Sequence, residues 1–200
     1  MNTVTDHGLL PAWDDNVHDA QSTFRSILQA LAEPGLLQTL PVAVTGPAPL
    51  SSAMTALCLT LADFETPVWL DNAARVRAVE SYLRFHCSCP LTAQPSLAHF
   101  AVLTQPASGS ALEGFAEGTM EYPDRSATLF IEVPSLTDGP TMTLSGPGID
   151  GTQTLRVGGL PDDFRLFWAA NGARFPLGVD IIFCCGDAIA GLPRTTQIAP

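Results

Sequence analysis

The stretch from Val179 to Leu192 is the strongest constraint on the fold. Val179 to Cys185 is an unbroken run of apolar and small residues apart from Asp180. Its length and flanking turn residues suit a strand buried on both faces. Gly186-Asp187 turns the chain, and Ala188 to Leu192 is a second apolar run suited to a neighbouring strand. Pro193-Arg194-Thr195-Thr196 follows at the strand end. A guanidinium offers a planar fork of donors and the two threonines add hydroxyls, a set that can hold a phosphate or carboxylate. The competing reading pairs Arg194 with one of the chain's many acids.

Around this segment, helical and strand signals alternate. Ala20, Phe24, Ile27, Leu28 and Leu31 recur at steps of three and four, one helical face, and Pro34 ends that helix. Leu36 to Leu40 suits a short strand. Ser51 can cap a second helix burying Met54, Leu57, Cys58 and Leu61. Val68 to Leu70 reads as a strand, and Asp71 or Asn72 as the cap of a third helix running to about Phe85. On its outer side Arg77, Glu80 and Arg84 have the spacing of solvated ion pairs. Strands are expected at 99–103, 127–133, 141–144 and 152–157, and a helix opening at Pro161 with Phe164, Phe167 and Trp168 inward. The pattern predicts an α/β/α layered domain with a mixed sheet over residues 16–200, preceded by an arm at 1–15.

Composition removes several functions. The net charge is −11 and all nine basic residues are arginine. An acidic chain without basic clusters is a poor nucleic-acid ligand and has no polybasic membrane patch. Without lysine, no Schiff base with a side-chain amine can form, so covalent pyridoxal phosphate chemistry is excluded. No apolar run approaches the roughly 20 residues of a spanning helix, and the N-terminus shows no signal-peptide pattern, so a cytoplasmic protein with free thiols is expected.

Two motifs tempt a stronger reading. Gly146-Pro147-Gly148-Ile149-Asp150-Gly151 matches G-x-G-x-x-G, but a dinucleotide site needs a helix starting inside the motif, and a strand is expected there. The glycines therefore turn a hairpin. His86-Cys87-Ser88-Cys89 invites a metal, yet C-x-C is not the usual zinc spacing. Cys184 and Cys185, adjacent on a strand, point to opposite faces. No metal site is expected, and the thiols read as buried and free. His86 stays a candidate beside Arg84 at a helix end.

The stretches FRSILQALAEPG (24–35), LTLADFETPVWL (59–70), LRFHCSCPL (83–91), LSGPGI (144–149) and FPLGVDIIFCCGDAIAGLPRTT (175–196) resemble the PhnH family, a subunit of the bacterial carbon–phosphorus lyase system. The resemblance implies a fold related to the large domain of PLP-dependent transferases, without PLP. It implies a homodimer when isolated and assembly with PhnG, PhnI and PhnJ subunits. It implies a step in which a phosphonate such as methylphosphonate displaces adenine from MgATP, giving a ribose 1-phosphonate 5-triphosphate. The residues themselves supply no evident catalyst for that step, so an accessory subunit is expected. The ligand-binding candidates are Arg194, Thr195, Thr196, Arg84 and His86. Two alternatives stand beside it: an enzyme on a phosphorylated metabolite using Arg194, His86 and an acid such as Asp63 or Asp180, and a thiol-based metal or redox protein.

Overall fold

The computed structural model describes residues 9–106 and 109–199, so the first eight residues of the expected arm lie outside it. The elements in chain order are α1 (Asn16–Ala32), β1 (Leu37–Thr39), α2 (Ser52–Leu61), β2 (Val68–Leu70), α3 (Arg77–His86), β3 (Leu91–Thr92), β4 (Phe100–Leu103), β5 (Thr128–Glu132), β6 (Thr141–Ser145), β7 (Gln153–Arg156), α4 (Phe164–Gly172), β8 (Asp180–Cys185), β9 (Ala188–Leu192) and β10 (Gln197–Ile198). Short 3₁₀ turns lie at Pro95–Leu97, Gly109–Leu112 and Pro123–Arg125.

Seven strands form a mixed sheet in the order β1-β9-β8-β5-β4-β2-β3. β3, β2, β4, β5 and β8 run parallel; β9 runs antiparallel to β8, and β1, antiparallel to β9, closes that edge in the direction of the parallel strands. β8 and β5 lie in the middle with both faces covered, which is why Ile181, Ile182, Phe183, Leu129 and Phe130 are all fully buried. One face packs Val102, Phe130, Ile182, Cys184 and Ile189 against α1, α2 and α3. The other packs Leu129, Ile131, Ile181 and Phe183 against α4 and a second, three-stranded sheet, β10-β6-β7. The third layer is therefore one helix and a small sheet, where helices alone were expected. Cys184 joins the first core and Cys185 packs on the second, the opposed orientation predicted for neighbours on a strand.

Local chemistry explains the element ends. Asp15 caps α1 by accepting from the Val17 and His18 N–H groups. Ser51 caps α2 through the Met54 N–H (3.2 Å). α3 begins at Arg77 instead of just after Asp71–Asn72, and has no side-chain cap. Asp71 has other work: its carboxylate accepts from Ala74 N (2.7 Å), Thr104 N (2.7 Å) and Thr104 Oγ1 (2.9 Å), tying the end of β2 to the end of β4. α4 starts at Phe164, three residues past Pro161. The glycine-rich motif turns between β6 and β7, an antiparallel hairpin, with Gly146, Gly148 and Gly151 all at positive φ. No helix begins there, in keeping with the rejected dinucleotide reading.

Candidate functional site

In open α/β sheets ligands gather beyond the C-terminal ends of the parallel strands, where strand order reverses. Here the reversal falls at β2, flanked by β3 and β4. The crevice is bridged by the Asp71–Thr104 hydrogen bonds. Arg194 follows an antiparallel strand, so it sits at the other rim: its partners Pro123, Ser126, Pro176 and Asp180 precede or begin β5 and β8.

At that rim the guanidinium is spent internally. Nε donates to Asp180 Oδ1 (3.1 Å) and Nη2 to Asp180 Oδ2 (2.5 Å). Nη1 donates to the carbonyls of Pro123 (3.0 Å) and Pro176 (3.3 Å), and Nη2 also to Ser126 Oγ. The backbone N–H of Arg194 adds a bond to Asp180 Oδ1 (2.7 Å). The Arg194 side chain is only 12% exposed. An internal ion pair, the alternative to an anion site, describes this geometry. The sequence carried a signal for it. The β8–β9 register sets Ile181 opposite Leu192, which places Asp180 beside Pro193 and within reach of Arg194.

Beside this loop lies a cleft of about 610 Å³ between α4 and the 194–198 segment. Trp168, Ala169 and Gly172 form its helical wall, Phe175 and Pro147 stand at other points of its lining, and Thr195 to Ile198 form the facing wall. The volume falls in the range of small-molecule sites. Trp168 Nε1 donates to the Thr196 carbonyl (2.8 Å), locking helix to loop. Thr196 is 2% exposed and its Oγ1 has no hydrogen-bond partner. Arg165, which the sequence reading passed over, also lines the cleft. It staples the chain end to β6, donating to Ala199 O (2.7 Å) and Thr141 O (2.8 Å).

Arg84 and His86 lie elsewhere, on α3 against the opposite face of the sheet. Arg84 pairs with Glu80 at 4.0 Å, the solvated contact its spacing suggested. His86 Nε2 bonds the Leu10 carbonyl (3.0 Å), and its ring packs on Tyr82 and Phe85. Tyr82 Oη reaches Pro11 O (3.1 Å), so α3 holds the described part of the arm; burial lifts that phenol to about 12. The structure thus brings Arg194, Thr195 and Thr196 together and keeps Arg84 and His86 apart from them. Asp63 turns back on its own loop, accepting from Glu65 N (2.9 Å).

The thiols form a cluster the sequence reading missed. Cys58 of α2 joins Cys87 and Cys89, with Cys87 Sγ 3.5 Å from the Cys58 carbonyl and Cys89 Sγ 3.9 Å from that of Leu83. Hydrogen bonding between the free Cys87 and Cys89 thiols, then burial, holds the Cys87 proton on, and the same interaction lowers Cys89. Burial pushes Cys58 and Cys184 well above the ordinary thiol range. Among the described residues no group of three His, Cys, Asp or Glu side chains is placed to hold a metal ion, and no helix is long and apolar enough to cross a membrane.

A family model described as bacterial phosphonate metabolism protein (PhnH) matches residues 11–199. The alpha-D-ribose 1-methylphosphonate 5-triphosphate synthase subunit PhnH of Rhizobium meliloti is 41% identical over 187 residues, 94% of either chain. A putative C-P lyase subunit protein HtxG of Stutzerimonas stutzeri is 41% identical over 81 residues, 40% of this chain and 42% of that one. With a match from the end of the arm to the last strand, the chain belongs to the PhnH family of bacterial phosphonate metabolism proteins.

Proposed function

We propose that this chain is an accessory subunit of a carbon–phosphorus lyase complex, required for making ribose 1-methylphosphonate 5-triphosphate from MgATP and methylphosphonate. The match to the Rhizobium meliloti synthase subunit over 94% of both chains carries this reading. PhnG, PhnI and PhnJ type subunits are its partners, the isolated chain is a homodimer, and the complex works in the cytoplasm. MgATP is substrate of the whole assembly. The fold is related to the large domain of PLP-dependent transferases and uses no covalently bound cofactor, in line with the lysine-free composition.

The geometry supports an accessory role. Arg194, the strongest anion-binding candidate of the sequence, is committed to Asp180, and His86 to the arm. What the 193–196 loop offers to a ligand or partner is the cleft it walls, with Thr195 and Thr196 on its lining. Arg194 holds that loop in place through its ion pair with Asp180. The test is reconstitution: tagged sister subunits with and without this chain, assayed for adenine release from ATP plus methylphosphonate. The reading expects release only with the chain present, and none from the chain alone. Release by the isolated chain at the rate of the full mixture overturns it.

A further inference from the structure

The cleft between α4 and the 194–198 segment has charged groups on its lining but none free in its interior. Its lining holds two arginines and no acid or histidine. All five N–H donors of the Arg194 guanidinium are taken, by Asp180, Ser126 and the carbonyls of Pro123 and Pro176. Its charge is matched by Asp180. Arg165 is exposed and holds the carbonyls of Ala199 and Thr141, so its charge faces water, where it is screened.

The remaining surfaces suit a flat ring. Ala169, Gly172 and, at the end of α4, Ala173 carry at most a methyl group. A Cβ on Gly172 would have one neighbour within 4 Å, the Arg194 carbonyl oxygen at 3.7 Å, so the helix face is open there. Trp168 and the exposed Phe175 add aromatic surface. On the facing wall, Thr196 is almost fully buried. Its N–H is used by the Pro193 carbonyl (2.8 Å) and its C=O by Trp168 Nε1, while Oγ1 has no partner. A buried hydroxyl left unpaired is costly, so a ligand atom that completes it meets a place already built.

The proposed reaction offers four kinds of group to such a cleft. Methylphosphonate and the triphosphate are anions and call for free cations. Ribose is a polyol and would set hydroxyls against apolar walls. Adenine is planar and uncharged, with ring acceptors and an amino donor on its edge. We propose that the cleft takes the adenine base of the nucleotide substrate, packed between the small-residue face of α4 and the 195–198 wall, with one edge of the ring on Thr196 Oγ1. The volume of about 610 Å³ suits a ligand of drug size, which a nucleoside is. The inference rests on the subunit reading for its substrate and adds the site at which this chain meets it.

The experiment titrates the full chain with adenosine, and in parallel with methylphosphonate and inorganic triphosphate, by isothermal calorimetry. Adenosine should saturate the chain below about 1 mM, the upper end of ordinary substrate constants. The two anions should bind more weakly by about tenfold or more. Ala169→Phe, which fills the volume, should weaken adenosine by about tenfold or more. Thr196→Val, which keeps the shape and deletes the hydroxyl, should weaken it about threefold to tenfold, the effect of one lost hydrogen bond. It should melt no lower than wild type, because the hydroxyl it removes has no partner in the free chain. Melts establish that each variant is folded, and Thr196→Val carries the test if the larger side chain disturbs α4. No saturation of the folded wild type by adenosine, or tighter binding of either anion, overturns the base site and leaves the subunit reading standing. Unchanged adenosine affinity in either folded variant also overturns it, because the base then lies elsewhere. Reconstituted adenine release that does not need this chain overturns the subunit reading, whatever the titration shows.

Discussion

Arg194 closes onto Asp180 across the open end of the β8–β9 hairpin, with three donors of one residue shared between the two oxygens of the other. The pair anchors the 123–126 and 176 segments through the remaining guanidinium donors. Removing one member leaves a largely buried charge unpaired, which costs about 3–5 kcal/mol. Arg194→Ala is therefore expected to melt well below wild type, with function per folded molecule retained. Arg194→Lys recovers only part, since an ammonium cannot serve both carboxylate oxygens and two carbonyls at once. Thermal melts beside activity of the reconstituted complex check this; a stable Arg194→Ala protein that has lost activity would return Arg194 to the ligand.

That pair also marks how much of the molecule could be read from residues alone. The β8 and β9 runs, the 146–151 hairpin and the Ser51 cap were legible because each rests on local chemistry: apolar runs, positive-φ glycines, a hydroxyl before a helix. The Arg194 partner follows only once the β8–β9 hairpin register is worked out, and the union of Cys58 with Cys87 and Cys89 depends on the packing of α2 beside α3, which no short window encodes. Asp71 was misread for the same reason. Its place before a helix suggested a cap; it does accept from Ala74 N, but α3 starts only at Arg77, and Thr104, 33 residues on, supplies two further donors.

Gly191 is where α1 rests on β9. A Cβ there would meet the Ala30 carbonyl oxygen at 2.3 Å, a backbone atom that moves only with the helix. Gly191→Ala should destabilise by about 1–3 kcal/mol, the usual cost of overpacking. Chemical denaturation would show a lower midpoint with unchanged slope; an unchanged midpoint would mean that α1 is loosely held.

Glu132 ends β5 in a half-buried position and accepts from Ser51 Oγ (2.6 Å). Burial raises its pKa above the ordinary carboxylate value, outweighing the hydrogen bonds from Ser51 and Gly186. A carboxyl whose folded pKa is raised contributes stability below its unfolded pKa and loses it as pH rises through the folded one. Glu132→Gln removes that titration. Relative to wild type, the variant should therefore be more stable at pH 7.5 than at pH 4.5, judged by melts at both. The opposite trend would show the ionised form to be favoured.

The five thiols should separate by burial. Cys58 and Cys184 are fully buried with raised pKa values, and Cys185 is partly exposed. In native protein an alkylating reagent should modify Cys185 first and leave Cys58 and Cys184 intact until unfolding. Mass spectrometry of peptides reads the order. Elemental analysis should find no stoichiometric zinc; about one ion per chain, as a structural site requires, would contradict this.

The cleft beside the 194–198 loop gives the sharpest test of whether this rim is used. Ala169 lies on its α4 wall and is exposed, so a larger side chain there meets space and solvent before it meets the core. Ala169→Phe costs only the difference in helix propensity, about 0.5 kcal/mol. The melting temperature should therefore fall by no more than a few degrees. If the cleft receives a ligand or a partner side chain in the working complex, the phenyl ring competes for the same volume. Activity of the reconstituted complex should then drop by about tenfold or more, since about 1.4 kcal/mol of lost contact suffices. Gln197→Ala, on the opposite wall, trims a side chain without filling the space and should have a smaller effect. A well-folded Ala169→Phe chain that supports full activity would remove the cleft from the function.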